Sequence, residues 1–135
     1  MPKIEPAKIW TLNYRMVMSV ITSVAPEIAE LGLEPKELCV LAEVDEHPYP
    51  AELAEQLCMP KPTVTVNVKR LEAAGFLKRE IDAADLRRHR LALTTAGRKA
   101  MTQGQALLSR AFGERLARLS SAQQAELRSM LEKMS

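Results

Sequence analysis

The sequence predicts a mainly α-helical chain carrying one small β-hairpin, an α+β class. Three observations predict it. Apolar residues recur at three-to-four spacing over most of the chain, and prolines and glycines cut that pattern into helix-sized pieces. One stretch alone, ending in Arg90-Leu91-Ala92-Leu93, alternates apolar and polar residues behind a charged loop.

Taken in order, the first element is a long helix from Lys8 to about Leu31, where Ile9, Leu12, Met16, Val20, Val24 and Ile28 keep the helical period. Pro26 should bend it, and Gly32 stops it. Glu34-Pro35 opens a second helix through Leu38, Leu41 and Val44 to about Glu46, with proline in its first turn. His47-Pro48-Tyr49-Pro50 cannot be helical, because two prolines remove donors and push their preceding residues to extended backbone. A short helix from Pro50 or Ala51 to Leu57 follows, broken by Cys58-Met59-Pro60-Lys61. Pro62 begins a further helix to about Ala74, closed by Gly75. Phe76–Ile81 and Arg90–Leu93 form the two hairpin strands around a polar loop from Asp82 to His89. Thr94 caps a long helix to about Leu119, and Ser120-Ser121-Ala122-Gln123 is a capping box for a last helix bearing Leu127, Met130, Leu131 and Met134.

A chain of 135 residues fits one domain that needs neither disulfides nor metal to hold a core. Aromatic residues are only 4%, so aliphatic and Met side chains must fill that core. The longest apolar run, Met16 to Ala29, is too short and too polar to span a bilayer, and the N-terminus lacks a secretory signal, so a cytoplasmic protein is expected. Cys39 and Cys58 form no CxxC pair, and Cys39, on an apolar stripe, reads as a buried, inert thiol. Neither His47 nor His89 belongs to a ligand pattern, and the set Cys39, Cys58, His47 and His89 lacks metal-site spacing. With no phosphate-binding glycine loop, GxSxG elbow or paired carboxylates, no enzyme, cofactor or metal is expected.

The charge is uneven. Residues 1–60 hold 4 Lys/Arg against 10 Asp/Glu, whereas residues 61–118 hold 13 against 5. A segment this basic suits a polyanion, and it also suits a solvated face. In the helix from Pro62, Val64, Val68 and Leu71 lie at i, i+4 and i+7 and face the core, leaving Thr63, Val66, Asn67, Lys69 and Arg70 outward. Such a face can enter a major groove, where Thr and Val meet thymine methyls, Asn reads adenine, and Lys or Arg reads guanine or holds phosphate. An ordinary surface helix is the competing reading. The loop after it carries Asp82, Asp85, Arg87, Arg88, His89 and Arg90, and a long Arg on a narrow protrusion suits a narrow minor groove. Asp85 is placed to hold Arg87 through an ion pair.

Several segments resemble one family. Gly32-Leu33-Glu34-Pro35 with Leu41 resembles the opening of MarR-family regulators. Leu53-Ala54-Glu55-Gln56-Leu57, Lys61-Pro62-Thr63-Val64-Thr65 and Leu71-Glu72-Ala73-Ala74-Gly75-Phe76-Leu77 are similar to its helix-turn-helix. Asp85-Leu86-Arg87 followed by Leu91-Ala92-Leu93-Thr94-Thr95-Ala96-Gly97 is similar to its wing. Leu86 stands where the family often has Arg, and Cys58 where it often has Gly. The resemblance spans nearly the whole chain and implies a winged helix-turn-helix lobe over residues 35–93 and dimerisation helices over 1–31 and 94–135 of a single domain. It implies a homodimeric transcriptional regulator, a repressor on a near-palindromic duplex operator, answering to a small, often aromatic, effector. The candidate DNA-binding residues are Lys61, Pro62, Thr63, Thr65, Val66, Asn67, Lys69, Arg70, Arg87 and Arg88, with Asp85 positioning the wing. Trp10, Tyr14, Arg15, Met16 and Met18 are the candidate effector residues, core packing being the competing reading. Leu116, Leu119, Leu127, Met130, Leu131 and Met134 independently suggest a partner, being more apolar surface than two terminal helices can cover. A winged-helix protein-interaction module without specific DNA is the alternative.

Overall fold

The computed structural model describes residues 3–135, in which six helices and one hairpin follow one another as α1 (Pro6–Glu30), α2 (Pro35–Glu43), α3 (Pro50–Leu57), α4 (Lys61–Ala73), β1 (Leu77–Ile81), β2 (His89–Leu93), α5 (Thr95–Leu116) and α6 (Ser121–Met134). Prolines begin α1, α2 and α3 and sit second in α4, where a fixed φ suits the first turn and the missing N–H is no loss. Gly32 and Gly75, at φ +84° and +82°, supply the left-handed residues after α1 and α4. Thr94 Oγ1 accepts from Gly97 N at 2.9 Å, and Ser120 Oγ accepts from Gln123 N at 3.1 Å, so both expected caps form. No single helix among the described residues is long and apolar enough to cross a membrane.

The chain divides into two units. One is Ala25–Ala106, and the other joins the residues up to Val24 with Leu107–Ser135. In the first, Ile28, Leu38, Leu41, Leu53, Val64, Val68, Leu71 and Leu91 are all but fully buried. Each such side chain contributes about 1.5–3 kcal/mol. The antiparallel hairpin pairs Leu77 with Leu93 and Arg79 with Leu91, so its leucines join this core. Two glycines let elements approach closely: a Cβ on Gly97 would lie 2.0 Å from the Phe76 carbonyl oxygen, and one on Gly104 would lie 2.7 Å from the Leu38 side chain.

The second unit is less covered. Arg115 Nη2 donates to Ser19 Oγ at 2.8 Å, tying α5 to α1, and Gln124 Nε2 donates to the carbonyls of Leu116 and Leu119 at 2.8 and 3.2 Å. Helix α6 has no buried residue at all.

Several boundaries differ from the sequence reading. Helix α1 starts at Pro6 rather than Lys8, α2 stops at Glu43 rather than near Glu46, and α5 stops at Leu116, with turn residues bridging to the Ser120 cap. Cys39 is exposed rather than buried, because α2 turns Leu38, Val40 and Leu41 inward and leaves position 39 on the other side. Partial desolvation, then the Glu43 carboxylate, still raise its thiol pKa and keep it from ready ionisation.

Candidate nucleic-acid interface

Helix α4 buries Val64, Val68 and Leu71, the expected stripe. Its far side presents Lys61, Pro62, Thr65, Val66 and Lys69, all exposed. Val66 is 65% exposed, an apolar side chain standing among polar ones. Thr65 Oγ1 donates to the Lys61 carbonyl at 3.0 Å, which fixes its rotamer with the methyl free for contact. Thr63 and Asn67 are half-buried rather than fully outward, and the Asn67 Nδ2 is enclosed without a hydrogen-bond partner.

Arg70 has another task than the sequence suggests. Its Nε and Nη2 each donate to one oxygen of Glu37, and Nη2 also donates to the Gly32 carbonyl at 3.3 Å. Glu37 is 0% exposed and accepts from Glu34 N at 2.7 Å, so this carboxylate has lost its water and regained partners. A planar two-pronged donor suits that need. The Glu37 bond holds the Arg70 guanidinium yet more firmly protonated. Arg70 thus braces the helix against α2 instead of reaching outward.

The hairpin carries the second group. Asp85 Oδ1 accepts from Arg87 N at 3.0 Å and lies 3.5 Å from Arg87 Nε, while the Arg87 side chain is 93% exposed. Arg87 is therefore aimed from its base and free at its tip. Leu86 is exposed beside it. Arg88 instead lays its guanidinium 3.7 Å from the centre of the Tyr49 ring. Elsewhere cations are matched: Arg79 with Glu72 at 3.0 Å, Lys78 with Glu80 at 3.4 Å, Arg98 with Asp45 at 3.0 Å. Among the cations of α4 and the hairpin outside those pairs, Lys61, Lys69, Arg87, Arg88 and Arg90 are exposed.

Sequence reasoning missed Glu37, Tyr49 and Asp82. Glu37 had one signal, an acid amid the apolar stripe of α2. Asp82 is 7% exposed, accepts from the Tyr49 hydroxyl and from Ala84 N at 2.8 Å, and its pKa is lowered by those bonds, the Tyr49 one first. Trp10 and Tyr14 pack at a ring separation of 6.2 Å on α1, and with Arg15 and Met18 they are exposed, Met16 being half-buried; the core-packing reading fails for those four within one chain. For a metal, Glu43, Glu46 and His47 could offer ligand atoms within 4.8 Å of one another; Cys39, Cys58 and His89 do not join them.

Residues 31–88 match the MarR family. The chain is 29% identical over 132 residues to the HTH-type transcriptional repressor Rv2887 of Mycobacterium tuberculosis, covering 96% of this chain and 95% of that protein. Among solved structures, Rv2887 in complex with DNA superposes with a TM-score of 0.75 at 27% identity, covering 98% and 99% of the two chains. Rv2887 in complex with salicylic acid gives 0.73 at 29% identity, covering 92% and 93%.

Proposed function

We infer that this chain is a winged helix-turn-helix regulator of the MarR family, whose model matches residues 31–88, and on that premise propose that it is a dimeric, sequence-specific DNA-binding repressor released by a small aromatic effector. One observation carries the reading: the exposed face of α4 and the ion-paired, outstretched Arg87 belong to the same unit, a helix for the major groove beside a cation for the minor groove. Thr65 and Val66 offer methyl groups to thymine, and Thr63 and Asn67 flank them from half-buried positions. Lys61 and Lys69 hold phosphates, and Pro62 shapes the first turn so that its remaining N–H groups can face a phosphate oxygen. Arg87 enters the flanking minor groove with Asp85 setting its direction, and Arg88 lies at the hairpin's edge.

Rv2887, the relative solved with DNA and with salicylic acid, supports the two-ligand logic. For the effector, exposed Trp10, Tyr14 and Met18 supply apolar surface on α1, and Arg15 suits a carboxylate. In this reading the protein works in the cytoplasm and is not an enzyme.

The test is selection of bound duplexes from a random DNA library, followed by a salt titration on the winner. A near-palindromic consensus is expected. A dimer making about 6–10 phosphate contacts should lose on the order of 10³–10⁵ in affinity between about 50 and 200 mM salt. Recovery of no consensus would leave a winged-helix protein-interaction module as the better reading.

A further inference from the structure

The base of the hairpin is tied to the loop between α2 and α3 by residues of which Arg88 alone is also assigned to the DNA-binding surface. Tyr49, the residue that precedes α3 in extended conformation, donates its hydroxyl to the Asp82 carboxylate. Asp82 stands where β1 ends and the wing loop begins. Its other oxygen accepts from Ala84 N at 2.8 Å, and its own N–H donates to the Arg88 carbonyl at 3.0 Å, closing the loop across its neck. The Arg88 side chain then returns over the Tyr49 ring at 3.7 Å. One residue before Tyr49, the Pro48 carbonyl accepts from Leu91 N at 2.8 Å, so the returning strand is held by the same loop. A carboxylate 7% exposed at the neck of a loop whose other residues are largely open to solvent is costly unless its partners are fixed, and here they are.

We propose that Tyr49 and Asp82 are positioning residues that lock the wing to the start of α3, and so fix the distance between the recognition helix and Arg87. The inference rests on the DNA-binding reading for its consequence and on geometry alone for the lock. Leu91 of β2, Arg88 of the wing loop, and Pro48 and Tyr49 of the α2–α3 loop together hold the neck. Releasing the hydroxyl leaves the Asp82 carboxylate short of a donor and the loop free to pivot. The recognition helix, held separately by its core stripe and by Arg70 on Glu37, should stay in place. Loss of the lock therefore affects the outer flank of the operator and spares its centre.

Tyr49→Phe is the informative change, because it removes only the hydroxyl and keeps the ring under Arg88. Asp82→Asn is the companion, keeping an acceptor for the hydroxyl while removing the charge. Two measurements on the full-length chain separate the lock from the function. In the free protein, amide hydrogen exchange at Ala84, Arg88 and Leu91 should speed by about tenfold in Tyr49→Phe, with Val64 to Leu71 unchanged. On the duplex recovered from library selection, hydroxyl-radical protection should fade at both outer flanks and persist at the centre, with affinity down about tenfold. Tyr49→Phe should then add little in an Arg87→Ala background, since both act through the same contact. Unchanged exchange at the neck would overturn the lock, whatever the protein does with DNA. Faster exchange with intact flank protection, or additivity with Arg87→Ala, would overturn its consequence. A wild type that protects no duplex would sink the DNA-binding reading instead, while the exchange data still decide whether the lock exists.

Discussion

Cys58 sits at φ 52°, ψ 41°, the left-handed conformation that closes α3, and it is the only non-glycine among the described residues with positive φ. The turn keeps the geometry that a glycine would give, at a steric cost of roughly 1–2 kcal/mol. Cys58→Gly removes that strain but adds chain entropy to the unfolded state, so a net gain of about 0.5–1 kcal/mol is expected, read as a higher urea midpoint. An unchanged or lower midpoint would mean that the turn is unstrained. Tyr49 offers a second residue-scale test. The Asp82 bond, then desolvation and the Asp82 charge, raise its pKa against the lowering effect of Arg88 and Arg90. A raised folded pKa means that the bond's stabilisation is present below the ordinary tyrosine value of about 10 and is lost as pH rises through the folded value. For Asp82 the sign is opposite: its contribution is present above about pH 3.9 and lost as pH falls through its lowered pKa. An absorbance titration should therefore show a phenol ionising above about 10 that Tyr49→Phe abolishes and Asp82→Asn moves down. The residues legible beforehand were those whose signal is local: Val64, Val68 and Leu71 by period, Thr94 and Ser120 by capping pattern. The pairs Tyr49–Asp82 and Glu37–Arg70 each span 33 positions, and only the folded chain brings them together.

At the scale of elements, α4 was legible as a helix with a buried stripe, yet its outer face was not fully legible. Helical spacing counts Arg70 as outward, but a long side chain goes where its charge is most needed, and the dry Glu37 carboxylate needs it most. Lys69 and Arg70 are therefore neighbours with different roles. Arg70→Ala should lower the unfolding midpoint clearly, since it strands a buried charge. Lys69→Ala should leave the midpoint unchanged and weaken binding to all sequences alike, reducing the salt slope by about 1 for each phosphate that the lysine neutralises. Equal midpoints for the two variants would refute the brace. The hairpin element makes the complementary case. Arg87→Ala should weaken the hold on each operator flank, and Asp85→Ala should also weaken binding, though less, even though it deletes a negative charge near DNA. That sign separates an aimed Arg from a merely basic loop. If Asp85→Ala tightened binding, or the two changes were additive at fixed salt, the aiming role of Asp85 would be lost.

At the scale of the molecule, the apolar surface from which the sequence suggests a partner stays uncovered in one chain. Met130, Leu131 and Met134 are exposed on α6, Met134 by 81%, and Ile9, Trp10, Leu12 and Tyr14 are exposed on α1. A groove of about 710 Å³ runs between the end of α5 and α6, lined by Phe112, Leu116, Leu127 and Leu131. A 14-residue helix without one buried residue gains little from propensity alone, so something must cover it for it to persist in water. A second copy of the chain is the occupant that also serves DNA binding, because a two-fold pair of interfaces reads a two-fold operator with half-sites about 34–36 Å apart. The protein should then scatter light at twice the 15.0 kDa chain mass at micromolar concentration. Truncation before Ser120 should remove α6, expose Leu116 and Leu119, and lower stability together with dimerisation, because folding and association share that surface. Operator affinity should fall with it more steeply than affinity for random DNA, since the monomer keeps α4 and Arg87 but loses the second half-site. A scattering mass near 15 kDa for the intact chain, with specific operator binding retained, would show that one copy suffices and that the apolar face serves another partner.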